Sequence, residues 1–117
     1  MEAIFDRNGH TVGWLRDDVV YDRRPRHRAH VSDGAMFSYH GKHLGTFDGS
    51  FFRDKSGNAV AFMEGASGGP LVPIHEISPI PPIPPIPPIP PIPPIPPIAP
   101  IASLSWSRLS WEEFLNG

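Results

Sequence analysis

Met36-Phe37-Ser38-Tyr39-His40-Gly41-Lys42-His43-Leu44-Gly45 is the stretch whose reading decides the fold. Two large apolar residues open it, a polar run containing a glycine interrupts it, and an aliphatic residue followed by glycine closes it. Glycine enters the positive-φ region that a tight hairpin requires at no steric cost. The stretch therefore reads as strand, turn, strand. The same pattern lies on both sides of it: Ile4-Phe5 precedes Gly9, Val12 and Gly13, and Phe51-Phe52 precedes Gly57, Val60 and Ala61. Their turns, Asp6-Arg7-Asn8-Gly9-His10 and Asp54-Lys55-Ser56-Gly57-Asn58, are of the same kind. A further apolar pair, Val19-Val20, opens a unit that ends near Ala29-His30-Val31, with Arg23-Arg24-Pro25-Arg26-His27 in place of the glycine turn. The onsets fall about 15 to 17 residues apart, the signature of an internal repeat.

Four such units predict about eight short strands. An open sheet of that size leaves two edges and a bare face, whereas closure removes the edges. The expected fold is all-β: a small, shallow antiparallel barrel with pseudo-fourfold symmetry. The small residue after the second apolar position (Gly13, Gly45, Ala61) predicts a bulge or close backbone approach where the sheet curves. Glu64-Gly65-Ala66-Ser67-Gly68-Gly69-Pro70 reads as the exit, which bounds a barrel domain at residues 1–69.

Residues 70–104 form a second segment in which proline dominates; most of the 17 prolines lie here. From Ile80 to Ile98 the triplet Ile-Pro-Pro repeats, and large aliphatic residues continue the period of three from Ile74 to Leu104. Proline fixes φ and pushes its predecessor to extended ψ, which predicts a polyproline II rod with three residues per turn. Ile80, Ile83, Ile86, Ile89, Ile92, Ile95 and Ile98 then share one edge. Straight, the rod would span about 65 to 70 Å, against about 30 Å for the barrel domain. It must project, wrap, or pack on a neighbouring chain. A plain spacer would need no isoleucine, and so long an aliphatic line is the kind of patch that marks a contact.

The third segment, residues 105–117, is aromatic. Ser110-Trp111-Glu112-Glu113 fits a capping box, which predicts a single helical turn with Trp111, Phe114 and Leu115 on one face. A turn that short needs a surface to dock on. Trp106, Leu109, Trp111, Phe114 and Leu115 are candidate contact residues. Their surface is the chain's own barrel, a neighbouring protomer or a foreign partner. The repeated Phe-x-x-x-Gly-x-x-(Val/Leu)-Gly units over residues 1–66, and the ending Ser105-Trp106-Ser107-Arg108-Leu109-Ser110-Trp111-Glu112-Glu113-Phe114-Leu115, resemble the bacterial four-fold β-flower proteins. The resemblance implies a shallow barrel of four hairpin petals with no established activity or catalytic residues.

Composition narrows the chemistry. There is no cysteine, so disulfides and thiolate metal sites are excluded. A net charge of −2 gives no field for gathering nucleic acid. The beginning, Met1-Glu2-Ala3-Ile4-Phe5-Asp6-Arg7, carries neither the basic nor the apolar region of a signal peptide, and no apolar run matches a membrane span, so a soluble, cytoplasmic protein is expected. His27 with His30 and His40 with His43 are spaced three apart, which on a strand places them on opposite faces; no metal or other cofactor is expected. Arg23, Arg24, Arg26 and Arg28 form a candidate anion contact, with Asp17, Asp18, Asp22 and Asp33 close enough in sequence to neutralise it. Ser67 among glycines lacks the strand-to-helix setting of a nucleophile elbow, and no phosphate loop is present.

The expected function is non-catalytic: a barrel platform whose rod and aromatic tail bind protein, either a second copy or another chain. The alternative is binding of a lipid, a membrane surface or a small hydrophobe by the barrel, through Trp14, Phe47 and the Arg23 to Arg28 tip.

Overall fold

Eight strands run in chain order: β1 (Glu2–Asp6), β2 (Thr11–Arg16), β3 (Val19–Asp22), β4 (His27–Ser32), β5 (Ala35–Ser38), β6 (His43–Phe47), β7 (Phe51–Arg53) and β8 (Ala59–Met63). A computed structural model describes residues 1–117. Every strand pairs antiparallel with its neighbours in sequence, and β8 returns to β1, so the sheet closes into a barrel with no free edge.

The order beneath this closure is a strict interval of sixteen residues. Within each odd–even pair the register shifts at one place: after Ile4, Val20, Met36 and Phe52. Opposite those four residues stand Gly13, Ala29, Gly45 and Ala61. The small-residue positions read from sequence are therefore where the strands bulge and approach closely.

The turn joining each pair is held by one side chain at the same interval. The Asp6 carboxylate accepts from the amides of Asn8 and His10 at 2.9 and 3.0 Å. Asp22 accepts from Arg24 and Arg26 at 2.9 and 2.8 Å, Ser38 from His40 and Lys42 at 3.2 and 3.1 Å, and Asp54 from Ser56 and Asn58 at 2.9 and 3.0 Å. These are side-chain caps that mimic a backbone turn. The arginine-rich tip is consequently a turn of the common kind. Pro25 stands where the other three have glycine and omits only the bond that Gly9, Gly41 and Gly57 donate back to Asp6, Ser38 and Asp54.

Ile4, Val20, Met36 and Phe52 are fully buried in a single cluster with Leu44, Val60 and Ala61. Residues 111–116 form helix α1 (Trp111–Asn116), and its Trp111, Phe114 and Leu115 complete that cluster. The capping box is present: Ser110 Oγ accepts from the Glu113 amide at 3.1 Å, and the Ser110 amide donates to Glu113 Oε1 at 3.0 Å. The C-terminal turn is thus a plug in its own barrel. A second cluster, Phe5, Phe51, Ala59 and Phe62, lies under Trp106 and Ala66. The apolar residues fill more than an interior, because later parts of the chain cover them.

Residues 70–104 contain no helix or strand, and the longest dimension of the whole molecule is 35 Å. A straight projecting rod does not fit in that length. The segment wraps the barrel instead, in a molecule of 35 × 34 × 21 Å that is flattened like a disc. No helix is long and apolar enough to cross a membrane.

Candidate interaction surface

The wrapped segment is a belt, fixed at both ends to turns of the barrel. At its start the Glu76 amide donates to the Gly9 carbonyl at 2.9 Å, and the Glu76 carboxylate accepts from the Thr11 amide at 2.6 Å. That bond holds the Glu76 carboxyl below its ordinary range. The His75 ring stacks on Phe5 with centroids 4.0 Å apart. Between its ends the belt passes the rim near Phe5 and Trp14 at Pro79 to Pro81, and Val19 and Tyr21 at Pro84 to Pro87. At its finish the Ser103 amide donates to the Gly57 carbonyl at 3.1 Å. The chain then lays a short parallel bridge on β8, with Ser105 and Ser107 bonded to Ala59 at 3.0 and 2.7 Å. Gly9 and Gly57 have φ of 81° and 87°. A Cβ on them would lie 2.7 Å from the Ile74 carbonyl oxygen and 2.4 Å from that of Ile101. The belt can approach these two turns only because each is glycine.

Arg53 ties the belt's finish to the fourth turn and to the exit loop that precedes the belt. Its guanidinium donates to the carbonyls of Gly57 and Ser103 at 2.7 Å each and to Gly68 at 3.1 Å, and it pairs with Asp48 at 3.4 Å. It is buried and packs over the Phe51 ring at 5.3 Å. Burial by itself would raise the Asp48 carboxyl; the amides of Phe51 and Ser50 and the Arg53 guanidinium outweigh it and hold it low. Residue 53 stands sixteen after Phe37 and thirty-two after Tyr21, where the other strand pairs carry an aromatic. The detectable signal is this break in the repeat, visible only once the interval of sixteen is fixed.

Arg28 is the second break. It takes the place that Val12, Leu44 and Val60 hold in the other units. There it pairs with Asp22 at 3.3 Å and with Glu112 of α1 at 2.6 Å, and it donates to Asn116 at 3.1 Å. The bond from Arg28 holds the Glu112 carboxyl below its ordinary range. Burial tends to raise Asp22, but the amides of Arg26 and Arg24 and the guanidiniums of Arg26 and Arg28 prevail. Ser107 Oγ donates to Asp54 at 2.5 Å, and Lys42 Nζ donates to the Gly117 carbonyl at 2.8 Å; both help to seat the plug.

The four arginines of the cluster line one recess together with Asp22 and Glu112. Arg26 and Arg28 are paired, and Arg23 lies over Trp14 at 5.7 Å while donating to the Thr11 carbonyl at 2.9 Å. Only Arg24 is exposed without a side-chain partner. Trp14 is buried, and Phe47 is half-buried with its ring stacked on Phe52 at 4.3 Å. His27 and His30 both meet the Tyr39 ring, at 4.6 and 5.7 Å. Burial lowers His30 and His43 from the ordinary imidazole value. No three His, Cys, Asp or Glu side chains gather as a metal set. A cleft of about 430 Å³ between the fourth turn and α1 is lined by Asp54, Lys55, Ser107, Arg108 and Glu113 with Leu44 and Trp106.

Of the candidate contact residues, Trp111, Phe114 and Leu115 are buried on the chain's own barrel, and Trp106 packs against Phe51 and Phe62 at 6.3 and 6.2 Å. Leu109 is 40% exposed. The isoleucines are placed oppositely. Ile80, Ile83, Ile86, Ile89, Ile92, Ile95 and Ile98 are 93% to 98% exposed, as are Ile74, Ile77 and Ile101 within a few per cent. Between Ile74 and Pro93 the half-buried residues are those immediately after an isoleucine, His75, Ser78, Pro81, Pro84, Pro87, Pro90 and Pro93, whereas Pro96, Ala99 and Ala102 are exposed. The proline that follows each isoleucine faces the barrel as far as Pro93, while the isoleucines and the second prolines of the triplets are exposed. Neither the curated proteins nor the solved structures contain a match to this chain. Its closed eight-stranded barrel, and a match to the family model described as 4-fold beta flower protein over residues 2–115, show that the chain belongs to the four-fold β-flower family.

Proposed function

We propose that this protein is a non-catalytic interaction module, in which a plugged barrel carries a belt that presents a line of isoleucines to another protein chain, its own or a foreign one. One observation carries the reading. Along the belt every isoleucine faces out, and the residue turned to the barrel is the proline that follows it, from Pro81 to Pro93. Polyproline II geometry accounts for the period of three and offers three edges. A slip of one residue would turn isoleucine onto the barrel, where its burial would stabilise the monomer by roughly 1.5 to 3 kcal/mol per side chain. A belt serving only to seal the barrel would use that frame. The observed frame forgoes it and leaves an apolar stripe larger than the few hundred Å² that monomers usually expose.

The aromatic tail is engaged within the chain, so the contact element narrows to the belt's outer edge. No observation favours the barrel itself as a lipid or small-hydrophobe site: α1 fills one mouth with Trp111, Phe114 and Leu115. The test is photo-cross-linking of the full chain in its host cells, with a benzophenone side chain at Ile89 and, as control, at the exposed turn residue Lys55. Discrete protein adducts at 89 that disappear when Ile86 and Ile92 are replaced by glutamine are expected. A pattern at 89 no different from that at 55 would overturn the reading.

A further inference from the structure

We infer that the partner of the isoleucine edge is the same edge of a second copy of this chain, paired antiparallel about a twofold axis near Ile89; this rests on reading the belt as a contact surface. The first argument is area. At roughly 30 Å² per methylene, the four side-chain carbons of an isoleucine carry roughly 120 Å² of apolar surface. Ten such side chains, from Ile74 to Ile101, are almost wholly exposed, which gives roughly 1,200 Å² per chain. Covering two thirds of it would match the roughly 800 Å² per partner of a standard stable interface.

The second argument is pitch. In polyproline II geometry the isoleucines recur every 9 Å or so. A strand repeats along one face about every 6.7 Å, and a helix about every 5.4 Å. Neither stays in step with the edge over ten side chains. The same edge on another copy does so by construction. No Asp, Glu, Lys or Arg lies between Ile77 and Ile101, so the two edges meet without like charges.

The third is shape. Three edges of a polyproline II helix stand about 120° apart. On a belt that follows the rim of a disc 21 Å thick with its first prolines turned to the barrel, the isoleucine edge leans toward one flat side and the second-proline edge toward the other. The isoleucines form an arc raised on their side. Two discs stacked face to face about an axis in their plane bring the arcs together, running in opposite directions, and the arrangement closes as a dimer. Ile86 then lies near Ile92 of the second copy, and Ile80 near its Ile98.

The chain has no cysteine, so single introduced thiols report this geometry cleanly. In the full-length protein, Ile89→Cys should form a disulfide-linked dimer under mild oxidation. Ile80→Cys should not link to itself, yet should link to Ile98→Cys when the two are mixed. Sedimentation velocity of the unaltered chain should show a concentration-dependent dimer. Replacing Ile83, Ile86, Ile89, Ile92 and Ile95 with glutamine should weaken it more than about 100-fold, with an unchanged melting temperature at dilutions where both proteins are monomeric, since these side chains are almost wholly exposed in the monomer. Ready self-linking of Ile80→Cys, or a dimer that survives the five glutamines, would overturn the inference. So would a chain that stays monomeric at hundreds of micromolar. In that last case, Ile89-specific adducts to other proteins leave the wider reading standing, and their absence removes both. Co-sedimentation of the monomer with phosphatidylglycerol vesicles, abolished by the five glutamines, would replace both with a lipid surface.

Discussion

Replacing Arg53 with phenylalanine restores to the fourth strand pair the aromatic that Phe5 and Phe37 supply at equivalent positions. The barrel should tolerate it, because the site is buried and lies against Phe51. The belt should not. Three carbonyls, of Gly57, Ser103 and Gly68, lose a donor at 2.7, 2.7 and 3.1 Å. Each hydrogen bond to a charged group contributes about 1.5 to 3 kcal/mol, and desolvation of the guanidinium offsets part of the sum. Stranding buried partners costs about 3 to 5 kcal/mol in comparable cases, a large share of the 5 to 15 kcal/mol that a domain commonly has. The loss should be local. Ser103 and Ser107 donate their amides to Gly57 and Ala59 at 3.1 and 2.7 Å, whereas Met63 donates to Ser50 at 2.9 Å on the far end of β8. Native-state hydrogen exchange should accelerate more than about 100-fold at the two serines, and much less at Met63. Arg53→Lys keeps the charge but not the planar fork, and should recover less than half of the loss. Equal acceleration at all three amides, or a loss below about 1 kcal/mol in urea melts, would refute the view that Arg53 ties the belt.

The clasp on the plug is weaker. Glu112 is 60% exposed, so Glu112→Gln should cost no more than about 1 kcal/mol in urea unfolding. Its carboxyl is held low by Arg28 in the folded state, so the contribution is present above the unfolded value and lost as pH falls below about 4. Near-ultraviolet circular dichroism of the tryptophans should show an acid step that the glutamine variant lacks. Phe114→Ala empties a site that is 1% exposed and should cost about 3 to 5 kcal/mol by urea denaturation. Ser110→Ala removes the N-cap and should cost about 1 kcal/mol in the same assay.

Much of the barrel is legible in the chain because hairpins are local. The glycine turns and apolar pairs of three units lie within a dozen residues of each other, and their register follows from the turn. The second unit is harder to read. Its visible pair, Val19-Val20, is offset by one from the true series of Ile4, Val20, Met36 and Phe52, as Phe51-Phe52 is in the fourth unit, and its turn alone has no glycine. Asp22 supplies the cap instead, a weaker signal beside five basic residues. The capping box of α1 is equally local and equally legible. Where α1 docks is not, because Glu112 and Arg28 are 84 residues apart. The same holds for the course of the belt, which depends on Glu76 reaching Gly9 and on Arg53 reaching Ser103. Arg28 and Arg53 look like ordinary strand arginines until the repeat places them among valines and aromatics. Which edge of the belt turns outward also depends on where its anchors fall, because the period of three does not choose among the three edges.

Because only every third residue between His75 and Pro93 rests on the barrel, the belt behaves as a ruler read in one frame. One residue inserted near Pro81 would send all later isoleucines to a different side while changing none of their identities. A whole Ile-Pro-Pro unit would leave every assignment intact and add about 9 Å of slack between two fixed ends. The tract is free to vary by triplets and closed to variation by single residues. Its unit is set by the barrel, and its length is not.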